Sequence, residues 1–247
     1  MPLREELERS GNWLFRWRSY LPLLLIVPML LAMQYARFPG AKDARPDLWP
    51  LACIGISFCG LAIRAVTVGH APAGTSGRNT KGGQIAESLS TTGMYSLVRH
   101  PLYLGNFVIW IGVSMYAMIW WLSALVALVF WLYYERIMFA EEEFLRRKFG
   151  DAFLRWAQGT PAFLPKLRGW KPPELPFSLR SVLRREYPGL FGIIASFYLL
   201  EVYERLVVER QQTIEPLWTG IFLAGLLVFL VLRTLKRKTT LLTVAGR

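Results

Sequence analysis

The chain has 247 residues, 53% of them apolar, with ten Trp and a mean hydropathy of +0.31, yet 29 Lys+Arg stand against 17 Asp+Glu for a formal charge of +12. This combination excludes a disordered chain, a collagen-like repeat and a disulfide-stapled secreted domain. Cys53 and Cys59 share one apolar run, too few and too close for a disulfide framework or a metal quartet, and are expected to be buried packing residues.

Residues 1–19 read as a charged, amphipathic N-terminus on the cytoplasmic side. No short apolar region with a small-residue cleavage site follows, so the uncharged run 21–36 reads as a retained first span and 48–63 as the second. With the Gly/Ser/Thr-rich loop at 69–93 they make up a unit at 20–92. The next uncharged run, 102–134, would be ~50 Å long as one helix, too long for a single modestly tilted span. It therefore reads as two helices in a hairpin that turns near 118–121 and continues into Ala140, although no Gly or Pro marks that turn. Residues 93–165 hold this hairpin and its flanking motifs. The basic stretch 166–186 is broken by Pro172, Pro173 and Pro176, cannot be one helix, and is expected to lie along anionic head groups. Residues 187–247 supply two final spans, from runs 187–200 and 216–232, and a basic tail. The expected fold is all-α, a polytopic transmembrane helical bundle of about six spans.

In that topology all Lys and Arg except Arg37, Lys42, Arg45, Arg205 and Arg210 fall on one side, which the positive-inside rule makes the cytoplasm. The charge is thereby explained by topology and anionic lipid, and no nucleic-acid partner is implied. Glu201 and Arg205, spaced i,i+4 near the outer end of the fifth span, read as a structural pair.

Two polar constellations flank the hairpin. In the first, Arg99-His100-Pro101-Leu102-Tyr103-Leu104-Gly105-Asn106, the proline keeps His100 out of helical geometry and opens a helix, so Arg99 and His100 sit at the mouth of a span. Tyr103 projects from the first turn, and Gly105 leaves room for something close to the backbone. In the second, Arg136 precedes Glu141-Glu142-Glu143, charges that are costly against lipid and so should face a cavity or one another. The plain alternative is a solvated helix with Glu142–Arg146 and Glu143–Arg147 pairs at i,i+4. Both ends of a hairpin meet the same face of the bilayer, so the two constellations can share one cytoplasmic pocket.

RHPLYLGN, followed after the hairpin by EEEFLRRKFGDAFLRWAQGTPAFLP, resembles the phospholipid and isoprenylcysteine carboxyl methyltransferase superfamily of integral-membrane enzymes. The loop TSGRNTKG and TTGMYSLVRHPLYLGN look like bacterial lipid A phosphate O-methyltransferases, which implies a bacterial inner-membrane protein. The resemblance implies S-adenosylmethionine as methyl donor, no metal, and a membrane lipid as substrate; it says nothing of oligomeric state. Carried over residue by residue, Leu89, Tyr95, His100, Pro101, Leu102, Tyr103, Gly105, Glu141 and Glu142 would bind the donor, while Arg99 and Arg136 would face the substrate. This chain departs from the pattern at Ala162, where the family has Arg, at Phe153 and Trp156, where it has Tyr, and in the spacing of Arg136 from Glu141. A phosphate or carboxylate oxygen is nucleophilic at neutral pH without a base and suits orienting arginines, so O-methylation of an anionic lipid head is the first expectation. N-methylation of a phospholipid amine, an NADPH-dependent sterol-type reductase and a non-catalytic transporter or scaffold are the alternatives.

Overall fold

The computed structural model describes residues 2–35, 48–72, 74 and 86–247. Arg37, Lys42, Arg45, Arg78, Lys81 and the middle of the 69–93 loop, 73 and 75–85, lie outside the described residues.

The described residues are helical in every regular element. Helix α1 (Leu3–Trp17) turns at Arg18 into a 3-10 segment, Leu21–Leu25, that runs on as α2 (Ile26–Tyr35); the two halves meet at 82°. Helix α3 (Trp49–His70) starts on Pro50 and stops at Ala71, whose backbone is extended. Pro101 opens α4 (Pro101–Met115): its missing N–H costs nothing in the first turn, and its ring holds His100 at φ −121°, ψ 62°, outside the helix. The hairpin turn falls at 116–119, two residues before the expected 118–121. Met118 makes it, at φ +54° and half exposed, a left-handed conformation that costs a residue with a Cβ about 1–2 kcal/mol. Helix α5 (Trp120–Phe149) runs well beyond Ala140 until Gly150, at φ +51°, breaks it ahead of α6 (Asp151–Gly159). Helix α7 (Leu179–Tyr203) begins under an Ser178 cap whose hydroxyl accepts from Ser181 N–H, ends in a π turn at Glu204–Val208, and pairs with α8 (Pro216–Lys238).

Small residues let α3 and α4 approach closely. A Cβ on Gly105 would lie 2.5 Å from Arg64 Cγ and 2.8 Å from the Gly60 carbonyl, and one on Gly112 would lie 2.3 Å from Ser57 Oγ. The space at Gly105 is thus taken by α3. Helix α1 packs along the second half of α5, with Gly11 against the Arg136 carbonyl and Arg4–Glu143 and Glu8–Arg147 ion pairs of 2.5 Å at its start. Glu143 and Arg147 therefore pair across helices and not with each other, and Glu142 turns inward rather than toward Arg146. One apolar cluster gathers Met29, Cys53, Tyr116, Phe197 and Trp218; the other gathers Phe15, Val98, Tyr103, Phe130, Tyr134 and Ile137.

The all-helical membrane architecture is as expected; the count of about six spans is not confirmed. Among the described residues, α3, α5 and α8 are long and apolar enough to cross a membrane, and the bent α1–α2 pair makes a fourth if it is counted as one. Helix α4, with 15 residues, reaches only ~22 Å at 1.5 Å per residue, short of the ~30 Å hydrocarbon core. Helix α7 starts ahead of its apolar run and so carries Arg180, Arg184, Arg185 and Glu186 in its first turns. Cys53 is buried as expected; Cys59 is exposed.

Candidate functional site

Residues 97–100 and 161–166 meet through main-chain hydrogen bonds: Arg99 N–H donates to Pro161 O (2.9 Å), His100 N–H to Ala162 O (3.2 Å) and Lys166 N–H to Leu97 O (3.1 Å). Ala162 takes part through its main-chain carbonyl. The indole N–H of Trp156 donates to the Tyr95 carbonyl at 3.1 Å. Phe153 beside it is buried, its ring edge-on to Trp156.

Pinned in this way, His100 is 6% exposed and its Nε2 lies 2.9 Å from Glu142 Oε1; against a carboxylate oxygen, Nε2 is the donor. Its ring stacks on Tyr103, at 5.6 Å between centroids and 18° between planes. The Tyr103 hydroxyl donates to Glu141 Oε2 at 2.8 Å. Arg99 places Nε 2.9 Å from Glu142 Oε1 as an ion pair without hydrogen-bond alignment, and its Nη1 donates to the Ala157 carbonyl at 2.9 Å. The two polar constellations from either end of the hairpin have become one cluster.

That cluster forms a wall of a cavity of about 570 Å³, within the size range of small-molecule and cofactor sites. Tyr95, Arg99, His100, Pro101, Leu102, Tyr103 and Glu141 line it. Glu142 stands behind His100. Burial, and after it the charge of Glu141, pushes the Tyr95 hydroxyl well above the usual tyrosine range, so it remains a protonated donor. Besides Glu142, three expected residues do not line this cavity. Gly105 faces α3, and Leu89 is half-buried in the preceding loop. Arg136 is exposed: Tyr134, Ile137, Met138 and Glu141 share the inward face of α5, and position 136 falls on the other side of the 3.6-residue turn.

Several lining residues escaped the sequence reading. Arg64 of α3 donates twice to Glu186 of α7, Nε at 2.7 Å and Nη2 at 3.0 Å, and its Nη1 donates to Asn106 Oδ1 at 2.7 Å; Asn106 Nδ2 then reaches the Tyr134 hydroxyl at 3.1 Å. The available signal was a single charge inside an otherwise apolar helix, which marks a paired or functional site. Arg185 and Glu186 had been assigned to the interfacial stretch. Arg18, from the turn after α1, completes the polar rim, while Pro22, Leu23, Ile109, Trp110, Val113 and Ile193 make the remainder of the wall apolar. Such a site holds donors and acceptors for a charged, nucleoside-sized molecule beside a surface suited to hydrocarbon. The His/Cys/Asp/Glu groups among the described residues include none that could hold a metal ion.

Residues 52–152 match the model of the phospholipid methyltransferase family. The chain is similar to a nickel-cobalt-cadmium resistance protein of Alcaligenes xylosoxydans xylosoxydans, 41% identical over 85 residues that make up 34% of this chain and 39% of that protein. A cobalt-zinc-cadmium resistance protein of Cupriavidus metallidurans is 38% identical over 85 residues, again 34% and 39% of the two chains. The protein-S-isoprenylcysteine O-methyltransferase of Schizosaccharomyces pombe is 32% identical over 77 residues, 31% of this chain and 33% of that one. The chain thus spans well under half the length of these relatives, and no solved structure matches it.

Proposed function

We propose that this chain, which belongs to the membrane methyltransferase superfamily through its phospholipid methyltransferase segment, transfers a methyl group from S-adenosylmethionine to an anionic oxygen on the polar head of a membrane lipid or lipidated molecule. The reading takes the site to open to the cytoplasm of a bacterial inner membrane, the side to which the Lys/Arg distribution points.

The observation that carries it is the convergence of His100–Glu142 at 2.9 Å and Tyr103–Glu141 at 2.8 Å on the wall of one cavity. The residues present fit the donor. It carries a carboxylate, an ammonium and ribose hydroxyls; the cavity offers guanidiniums to the first and the Glu141 carboxylate to the others, within a volume of the right order. Tyr95, His100, Tyr103 and Glu141 would hold it, and when bound it supplies an activated sulfonium methyl group. The protein's part is then alignment and exclusion of water, without a metal or a covalent nucleophile. An anionic oxygen needs no base to attack, so the cationic groups at the rim serve to orient it. Carboxylates also line the cavity, at Glu141 and Glu186, which supports N-methylation of a lipid amine as the second reading.

Calorimetry of the purified protein with S-adenosylhomocysteine and with NADPH tests the cofactor. Binding of the former alone is expected; binding of NADPH alone would replace a transferase with a reductase, and binding of neither would leave a non-catalytic protein. Incubation with labelled donor and a total lipid extract, followed by mass spectrometry, then names the acceptor as phosphate, carboxylate or amine.

A further inference from the structure

We infer that Arg18 is an acceptor-specificity residue of this cavity, taking the anionic oxygen of an amphiphilic substrate; the inference rests on the methyltransferase reading above. Arg18 caps the C-terminal end of α1 and lines the cavity from the turn before Leu21–Leu25. Its guanidinium lies over the Phe15 ring, 3.7 Å from the centroid, and Phe15 is itself 5% exposed in the apolar cluster beside Tyr103. Nη1 is buried and has no hydrogen-bond partner. A buried cationic donor left unsatisfied is costly, and an anion at that point removes the cost.

Two of the other guanidiniums that line the cavity, those of Arg64 and Arg99, are already engaged. Glu186 and Asn106 take up the Arg64 guanidinium, and Arg99 is paired with Glu142 and the Ala157 carbonyl. Arg18 has only the face of a phenyl ring, which attracts a cation without accepting its in-plane N–H groups.

Its position in the chain assigns it to the acceptor. A methyl donor shared across a family is read by the shared segment, 52–152, which supplies Tyr95, His100, Tyr103 and Glu141. Arg18 comes from outside that segment, on a wall that the shared segment does not build, which leaves it for the acceptor. The residues that follow make the ligand an amphiphile: Pro22 and Leu23 continue the cavity wall directly from Arg18, and Leu23, Leu24 and Val27 are each more than half exposed along the same apolar element. A charged head at Arg18 leaves its hydrocarbon chain beside this strip.

The test uses the full chain in uncharged detergent and compares wild type with R18Q and R18K. Binding is measured for dodecyl phosphate, an anionic head on an alkyl chain, for inorganic phosphate and, separately, for S-adenosylhomocysteine. Wild type should bind dodecyl phosphate saturably and much more tightly than inorganic phosphate. R18Q should lose about tenfold in dodecyl phosphate affinity, the loss of one charge-assisted hydrogen bond, and R18K should fall between, with S-adenosylhomocysteine affinity within twofold of wild type throughout. Unchanged dodecyl phosphate binding in R18Q overturns the inference. So does an equal loss for S-adenosylhomocysteine, which would make Arg18 a cofactor residue, or equal wild-type affinity for both phosphates, which would make the ligand a free anion. If R18Q fails to fold, the graded loss in R18K decides. Failure of wild type to bind S-adenosylhomocysteine at all would remove the methyltransferase reading, and the dodecyl phosphate measurements would still report on Arg18 as an anion site.

Discussion

The two ends of the bundle use the same residue types to opposite ends. At one, Tyr103 donates to Glu141 on the wall of an open cavity. At the other, Tyr116 just past the end of α4 lies 2.6 Å from Glu201 Oε2 and 2.7 Å from Glu204 Oε2, all three fully buried against the cluster around Phe197 and Trp218. Arg205 closes that end, with Nε 2.5 Å from Glu201 and Nη2 2.8 Å from Glu215. A tyrosine–glutamate pair is therefore not in itself a signature of chemistry. Space beside the pair makes it available to a ligand, while a neighbouring arginine and a packed aromatic core make it a brace.

The contrast can be broken by substitution. Glu141→Gln keeps the shape and removes the charge, and is expected to lower S-adenosylhomocysteine affinity about tenfold or more and methyl transfer further, with thermal unfolding little changed; calorimetry and a melting curve read the two separately. Undiminished affinity would make the cavity end a brace as well. Tyr116→Phe should do the reverse. It removes the hydrogen shared by two buried carboxylates and should cost about 1–3 kcal/mol of stability, seen as a lower melting temperature, while ligand affinity per folded molecule is preserved. A drop in affinity without a drop in stability would show the far end coupled to the site. The smallest effect is expected from Arg136→Ala, whose side chain is exposed away from the cavity: affinity and transfer should remain within about twofold, and a large loss would return Arg136 to the site.

Legibility followed how local each feature is. The corner at His100 and Pro101 could be read from sequence because proline constrains its neighbour and its own first turn whatever surrounds them. The hairpin could be read because a 33-residue uncharged run has few other ways to fold. Its turn had no sequence mark, because a methionine, and not a glycine, takes the positive φ there. Gly105 was read as a gap for a ligand, but a glycine does not say what fills its gap; α3 does. Arg136 was read by analogy of spacing, and the helical turn put it on the wrong face.

The order of apolar runs, the proline corner and the acidic stretch were fixed by short-range chemistry: hydropathy, backbone restriction and spacing along a helix, which act within a turn or two of each residue. Which charges meet was not. Arg64 with Glu186, Arg4 with Glu143 and the unpartnered Nη1 of Arg18 depend on helices far apart in sequence packing side by side. The long-range assembly determines which polar groups are satisfied and which are left for a ligand, because burial and pairing are properties of the surroundings and not of the residue.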